Sequence, residues 1–249
     1  MKISNTELLR YSKQIILKKI GISGQKKILS TKVLIVGVGG LGCPLALYLA
    51  NTGVGIIGLV DNDKVDISNL NRQILFNAQD VGKYKVIQAK KFFKKTNKKI
   101  KINIYKDRLS KKNIEKILNK YDIICDCSDN FTTRYLLNSF CFKRKKILIS
   151  AAISKFDAHI FNFDFSKKTP CYKCFMPEIP EAENKCDTEG ILPAVAGIAG
   201  SIQANEVIKS ILGKKNELVG KMIIFNTYNL NFRKVKLTKN SNCLCCANK

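Results

Sequence analysis

Two rhythms of apolar and polar residues run along this chain. Four- or five-residue apolar runs, Lys32–Val36 and Ile56–Val60, have the length and β-branched content of buried strands. Longer stretches between such runs repeat their apolar positions every three to four residues, as helices do. Ser4-Asn5-Thr6-Glu7 forms a capping box, predicting an amphipathic helix to about Lys19 with Leu8, Tyr11, Ile15 and Ile16 on its buried side. The glycines at 21 and 24 break it, and Gln25–Leu29 is a second short helix. After strand Lys32–Val36 and a glycine-rich loop, Leu41–Asn51 is apolar enough for a buried helix, and strand Ile56–Val60 ends on Asp61. This is one βαβ unit of about 30 residues.

The alternation continues with a helix over Val81–Thr96, a strand over Ile100–Tyr105 and a helix over Lys111–Asn119. A strand at Tyr121–Cys125, a helix at Thr132–Phe142 and a strand at Lys146–Ile149 follow. Such alternation predicts a Rossmann-like, doubly wound, mostly parallel α/β sheet. After Ala151 the pattern changes. A strand over Ala158–Phe165 leads to a loop of cysteines and prolines, then a small-residue helix over Ile191–Leu212. Strands Met222–Asn226 and Asn231–Leu237 complete a C-terminal antiparallel extension. The 249 residues suit one large domain, a nucleotide-binding part over 1–150 followed by a smaller part over 151–249.

Charge changes this picture little. The net charge is +25, but 38 of the 44 basic residues are lysine, a bias expected when surface positions drift in an AT-rich genome. The basic stretches 90–101 and 143–146 lack the interleaved aromatics of a strand-binding groove, so no nucleic-acid partner is expected. Met1–Thr6 shows no signal-peptide pattern, and no apolar run reaches the roughly 18 residues of a membrane span. A cytoplasmic protein is expected, in which ten cysteines favour metal binding, catalysis or burial over disulfides.

Two Cys-x-x-Cys pairs, Cys171/Cys174 and Cys243/Cys246, have the spacing of a tetrahedral zinc site, since each pair spans a turn that aims both sulfurs one way. Cys245 lies between two of these and is read as a bystander; Cys43, Cys125, Cys127 and Cys141 lie in apolar elements and read as core. The loop Gly37-Val38-Gly39-Gly40-Leu41-Gly42 has a strand before it and a helix after it, the setting in which backbone N–H groups cradle a phosphate. Asp61, at the end of the next strand, is placed to receive a ribose hydroxyl. The loop alone serves NAD or ATP. Arg72, Lys85 and Asp129 favour ATP, because two cations neutralise a triphosphate and a carboxylate holds Mg²⁺. A dehydrogenase would need a proton donor, and the sole histidine, His159, has no evident partner.

Arg10-Tyr11-Ser12-Lys13-Gln14-Ile15, the glycine loop, Asp66-Ile67-Ser68-Asn69-Leu70-Asn71-Arg72-Gln73, Asp126-Cys127-Ser128-Asp129-Asn130 and Cys171-Tyr172-Lys173-Cys174 together resemble the MoeB/ThiF adenylyltransferases, relatives of ubiquitin-activating enzymes. The resemblance runs in order along nearly the whole chain. It implies a homodimer that adenylates the C-terminal glycine of a ubiquitin-like sulfur carrier ending in Gly-Gly. The first expectation is MoaD of molybdenum cofactor synthesis, with ThiS of thiamine synthesis as the alternative and an NAD-dependent oxidoreductase as a remoter one. It implies that Gly37, Gly39, Gly40, Gly42, Asp61, Asp63, Asn69 and Gln73 bind nucleotide. Arg72 and Lys85 would neutralise phosphate, Asp129 would hold Mg²⁺ and Asn130 would lie beside it. Cys171, Cys174, Cys243 and Cys246 would bind structural zinc, in a part that docks the carrier. Lys13 stands where the family has an arginine that reaches the partner subunit's site, with Arg10 as a substitute. Cys186 aligns with a cysteine that, in some relatives, links covalently to the carrier. With no rhodanese-type sequence after Cys246, a separate sulfur donor of cysteine desulfurase or rhodanese type is expected.

Overall fold

The computed structural model describes residues 3–178, 190–213 and 216–247. Three helices open it, α1 (Asn5–Arg10), α2 (Ser12–Ile15) and α3 (Gly21–Ser30). The capping box is formed: the Ser4 hydroxyl accepts from the Glu7 backbone N–H, and the Glu7 carboxylate accepts from the Ser4 N–H at 2.8 Å. The expected long helix nonetheless stops at Tyr11, whose backbone leaves helical geometry (φ −101°, ψ 9°). Its ring occupies the space over Gly53, and its hydroxyl accepts from Asn97 Nδ2 at 3.1 Å. Tyr11 is buried, whereas Leu8 and Ile16, expected on the same buried side, face solvent. The break turns each helix segment differently, so one apolar stripe cannot persist across it.

Strand β1 (Lys32–Val36), helix α4 (Gly42–Thr52) and strand β2 (Ile56–Val60) form the expected βαβ unit. Helix α5 (Lys85–Thr96) begins four residues later than expected. The preceding residues are held in a turn: the Lys83 N–H donates to the Asp80 carbonyl at 3.0 Å, Gly82 takes φ +81°, and the Val65 N–H donates to the Lys83 carbonyl at 2.9 Å. Strand β3 (Lys101–Tyr105), helix α6 (Ile114–Leu118), strand β4 (Ile123–Asp126), helix α7 (Phe131–Lys143) and strand β5 (Ile147–Ser154) continue the alternation. After β6 (Asp157–Asp164), a one-turn helix, α8 (Tyr172–Phe175), carries the first cysteine pair. Its four residues are too few to show a period in sequence. Helix α9 (Pro193–Leu212) and strands β7 (Lys221–Asn226) and β8 (Asn231–Lys236) complete the structure.

All eight strands join one sheet in the order β3-β2-β1-β4-β5-β6-β7-β8. The first five are parallel and the last three antiparallel. Both faces of β1 are buried, Val33 and Ile35 in one core and Leu34 and Val36 in the other, as in a sheet covered on both sides by helices. Helix α9 packs against α4 through Gly200, where a Cβ would lie 2.5 Å from the Leu41 carbonyl oxygen. From β1 the chain winds outward to β3, then returns to β4 on the opposite side of β1. That reversal opens a crevice at the carboxyl ends of β1 and β4, where ligands of open α/β sheets bind. No helix among the described residues is long and apolar enough to cross a membrane.

Candidate active site

A cleft of about 670 Å³ lies over that reversal point. Its floor is the glycine loop. Gly37 takes φ +92°, and a Cβ there would meet the Cys127 carbonyl oxygen at 2.6 Å; at Gly42 it would meet the Gly37 carbonyl oxygen at 2.0 Å. These two glycines therefore shape the turn, and Gly42 does not itself line the cleft. Gly39 and Gly40 do, with a Cβ on Gly40 falling 3.5 Å from the Arg72 side chain.

Asp61 ties the second strand to this loop. One carboxylate oxygen accepts from the Val38 N–H at 2.7 Å, the other from the Asp63 N–H at 2.8 Å. Burial pushes the Asp61 pKa up, against the opposing pull of Lys85 and those two N–H groups. Lys85, at the start of α5, is buried with its ammonium 3.0 Å from the Asp63 carboxylate. Arg72 donates to the Ser68 carbonyl at 2.9 Å and to Asn71 Oδ1 at 3.0 Å. Gln73 is buried, and its amide oxygen has no hydrogen-bond partner. An orphaned acceptor beside bare glycine backbone, with two cations at hand, fits a nucleotide carrying donors and phosphates.

The β4–α7 junction forms the opposite wall. Asp129 is exposed there and accepts from Asn130 Nδ2 at 3.2 Å, while Asn130 Oδ1 caps α7 through the Thr133 N–H at 2.9 Å. Gly37, Gly39, Gly40, Asp61, Asp63, Arg72, Gln73, Lys85, Asp129 and Asn130 thus share one cleft. Asn69 lies outside the lining, in a 3-10 turn over Ile67–Asn69 whose N-cap it braces by accepting from the Asp66 N–H at 3.3 Å. Lys13 is exposed on α2 and away from this cleft. Arg10 donates to the Thr96 carbonyl at 2.8 Å and so caps α5 of its own chain. Cys186 lies outside the described residues.

Sequence reasoning missed four charged lining groups: Asp107 and Arg108 after β3, Arg134 on α7 and Asp157 at the start of β6. Arg134 is buried and paired with the wholly buried Asp126 at 3.1 Å. The scarcity of arginine was the available signal. His159 lines the far end of the cleft, edge-on to Phe175 with ring centroids 6.4 Å apart, and burial lowers its pKa. Cys127 also lines the cleft, but burial drives its thiol pKa well up, away from nucleophilic character.

The four expected metal ligands meet. The sulfurs of Cys171, Cys174, Cys243 and Cys246 lie within 4.8 Å of one another, Cys171 and Cys243 at 3.6 Å and Cys174 and Cys246 at 3.3 Å. Zinc–sulfur bonds of about 2.3 Å in a tetrahedron put sulfurs about 3.8 Å apart, so the cluster needs little adjustment to hold zinc. The Cys245 thiol raises the Cys171 pKa and burial raises those of Cys174 and Cys246, whereas at Cys243 burial is outweighed by hydrogen bonds from the Cys245 and Cys246 backbone, which bring it down to about 7; a metal would have to draw the other three to thiolates. Cys245 is not one of these four, but its thiol hydrogen-bonds with that of Cys171 and accepts from Asn138 Nδ2 at 3.4 Å.

The model of the ThiF family matches residues 11–245. The adenylyltransferase and sulfurtransferase MOCS3 of Culex quinquefasciatus is 41% identical over 249 residues, covering 99% of this chain and 57% of the relative. The protein of the same name from Drosophila virilis is 42% identical over 248 residues, covering 98% and 55%. The chain thus spans little more than half the length of these relatives. Among solved structures, E. coli MccB with ATP superposes with a TM-score of 0.83 at 26% identity, covering 98% of this chain and 75% of that one. PaaA superposes at 0.81 with 24% identity, covering 96% and 76%, a likeness of fold.

Proposed function

The chain belongs to the ThiF family, and from that premise we propose that it uses ATP to adenylate the C-terminal glycine of a ubiquitin-like sulfur carrier, MoaD of molybdenum cofactor synthesis before ThiS. The observation that carries this reading is the single cleft joining a glycine loop, a ribose-type carboxylate, two cations and an exposed aspartate.

The nucleophile is the carrier's terminal carboxylate. One of its oxygens attacks the α-phosphorus, the bond from that phosphorus to the bridging oxygen breaks, and pyrophosphate leaves, giving an acyl-adenylate. The carboxylate is already an anion, so no general base is needed, and none of the cleft groups has to move a proton. This chain's part is positioning and charge neutralisation. Asp61 would receive the ribose, and the Gly39–Gly40 backbone would lie against phosphate. Lys85 is held ready by Asp63, and Arg72 spans the loop edge; both would meet charge that shifts onto the leaving pyrophosphate. Asp129 would hold Mg²⁺, which when bound draws charge from the phosphate oxygens.

A homodimer fits the exposed apolar residues Leu9, Ile16 and Leu17 at the N-terminus. Because Arg10 is engaged within its own chain, Lys13 is the cation left to reach a partner's cleft. Phe156 and Tyr228, exposed with ring centroids 5.3 Å apart beside the cleft residues Ser154 and Asp157, offer the body of a carrier an apolar foothold. Sulfur would come from a donor of cysteine desulfurase or rhodanese type.

ATP–pyrophosphate exchange, run with purified carriers of MoaD and ThiS type, tests the proposal. Exchange that depends on the MoaD-type carrier and is lost when its terminal glycine is deleted is expected. Exchange with the ThiS-type carrier alone would reassign the substrate. Carrier-independent oxidation of NADH without any exchange would overturn the reading.

A further inference from the structure

Arg134, on α7, links the first cysteine turn to the loop that carries Asp129. Its side chain is buried, and its guanidinium reaches four partners on three further chain segments. Nε meets Asp126 Oδ2 at 3.1 Å, and one terminal nitrogen donates to the Ser128 carbonyl at 2.9 Å and the Ala151 carbonyl at 3.0 Å. The other terminal nitrogen donates to the Tyr172 hydroxyl at 3.4 Å, with the Tyr172 ring centroid 5.5 Å away. Asp126 in turn accepts from the Ser128 N–H at 3.0 Å and hydroxyl at 2.5 Å, and from the Ser150 hydroxyl at 2.7 Å. Ser128, the residue before Asp129, is therefore clamped at its N–H, its hydroxyl and its carbonyl.

Tyr172 is held just as closely from the other side. It follows Cys171 directly, its backbone N–H donates to the buried Asn138 Oδ1 at 2.8 Å, and its ring meets Tyr135 edge-on at 5.7 Å. Burying an ion pair is a poor way to gain stability, since an apolar pair of similar volume often serves as well. What a guanidinium supplies and an apolar group cannot is a rigid planar fork with five donors in set directions. Here the fork joins the cysteine turn to the cleft wall.

We propose that Arg134 is a positioning residue through which Tyr172, in the first cysteine turn, sets the Ser128–Asn130 loop for nucleotide. The inference rests on the nucleotide reading of the cleft. It assigns Tyr172 a role at a site it does not line.

The test is a double-mutant cycle in zinc-loaded protein: wild type, Tyr172→Phe, Arg134→Lys and the double variant. Each is first checked for one zinc per chain and a cooperative melt. The readouts are the Kd for Mg·ATP by calorimetry and the split between KM and kcat in pyrophosphate exchange. Losing one hydrogen bond predicts a Kd raised about 3- to 10-fold in Tyr172→Phe, and losing the fork predicts at least about 10-fold in Arg134→Lys. KM should rise in step while kcat at saturating ATP changes by less than about 3-fold. The double variant should bind no more weakly than Arg134→Lys, because both changes act along one route. Kd values within about 2-fold of wild type, or effects that multiply, overturn the proposal. If Arg134→Lys does not fold, Tyr172→Phe decides alone by the same Kd criterion. Wild-type protein that does not bind ATP would instead overturn the nucleotide reading, and the coupling with it.

Discussion

Replacing Asp61 by asparagine is the sharpest single probe of the cleft, because its size and pH dependence both follow from the geometry. The carboxylate offers an oxygen to each of two backbone donors, Val38 N–H at 2.7 Å and Asp63 N–H at 2.8 Å. An amide has one oxygen, so one N–H would face an NH₂ group. A hydrogen bond to a charged acceptor contributes about 1.5–3 kcal/mol. Against this, burial raises the Asp61 pKa, outweighing Lys85 and the two N–H groups, so removing the charge recovers part of the loss. A net destabilisation of about 1–2 kcal/mol at pH 7 is expected, or a Tm lower by roughly 2–8 °C for a chain of this size.

The sign with pH is fixed by the raised value. A group with a raised folded pKa contributes stability that is fully present below its unfolded pKa, about 3.9, and is lost as pH rises through the folded pKa. Wild type should therefore lose this contribution with rising pH, whereas Asp61→Asn has no such group. The gap in Tm between the two proteins should narrow from pH 4 to pH 7. Because the same carboxylate would receive the ribose, KM for ATP should also rise about 10-fold or more. Scanning calorimetry across pH, followed by pyrophosphate exchange, measures both. An unchanged Tm with an unchanged KM, or a gap that widens with pH, would refute the reasoning.

Arg72→Ala and Asp129→Ala should each lower adenylation by about 10² or more with the melt retained, as when one transition-state stabiliser is lost; exchange kinetics near wild type in either would remove that residue from the mechanism. Elemental analysis should find one zinc per chain, and Cys174→Ser or Cys246→Ser should lose both the metal and stability; full stability without metal would count against the clip. Cys186→Ala should leave pyrophosphate exchange nearly intact, since a thiol can act only once the carboxylate is activated; collapse of exchange in folded protein would assign Cys186 to adenylation. Gly42→Ala should melt well below wild type, because its Cβ would fall 2.0 Å from the Gly37 carbonyl oxygen; a wild-type melt would mean that the loop relaxes freely.

What could be read from sequence was local or strongly punctuated. β1 and β2 fall on the expected residues, because continuous apolar runs ending in Gly37 and Asp61 leave little choice. Two x₂ cysteine pairs announced that they would meet, and they do. Tyr11 was expected to be buried and is, but the end of the first helix at that residue was harder to read. It goes with the space above Gly53, 42 residues away, which the Tyr11 ring fills, and no helical period reveals that. The Asp126–Arg134 pair was invisible for a similar reason. Asp126 lies just past the expected strand Tyr121–Cys125 and Arg134 within the expected helix Thr132–Phe142, and nothing local marks them as a pair until β5 and Tyr172 close around them. Asp107 and Arg108 follow β3 with no motif of their own, and only the sheet order brings that loop to the cleft.

The cysteine clip also imposes a timetable. Cys171 and Cys243 are separated by 72 residues, as are Cys174 and Cys246. At about 5–20 residues per second, a ribosome needs roughly 4 to 14 s to make the second half of the site after the first. During that interval two neighbouring thiols have no companions, while β1 to β5 are already available to fold. The newborn chain therefore depends on its surroundings to keep Cys171 and Cys174 reduced and unclaimed until their counterparts emerge. Metal capture becomes one of the last acts of maturation, and an oxidant or a competing soft metal should do more damage to growing chains than to finished ones.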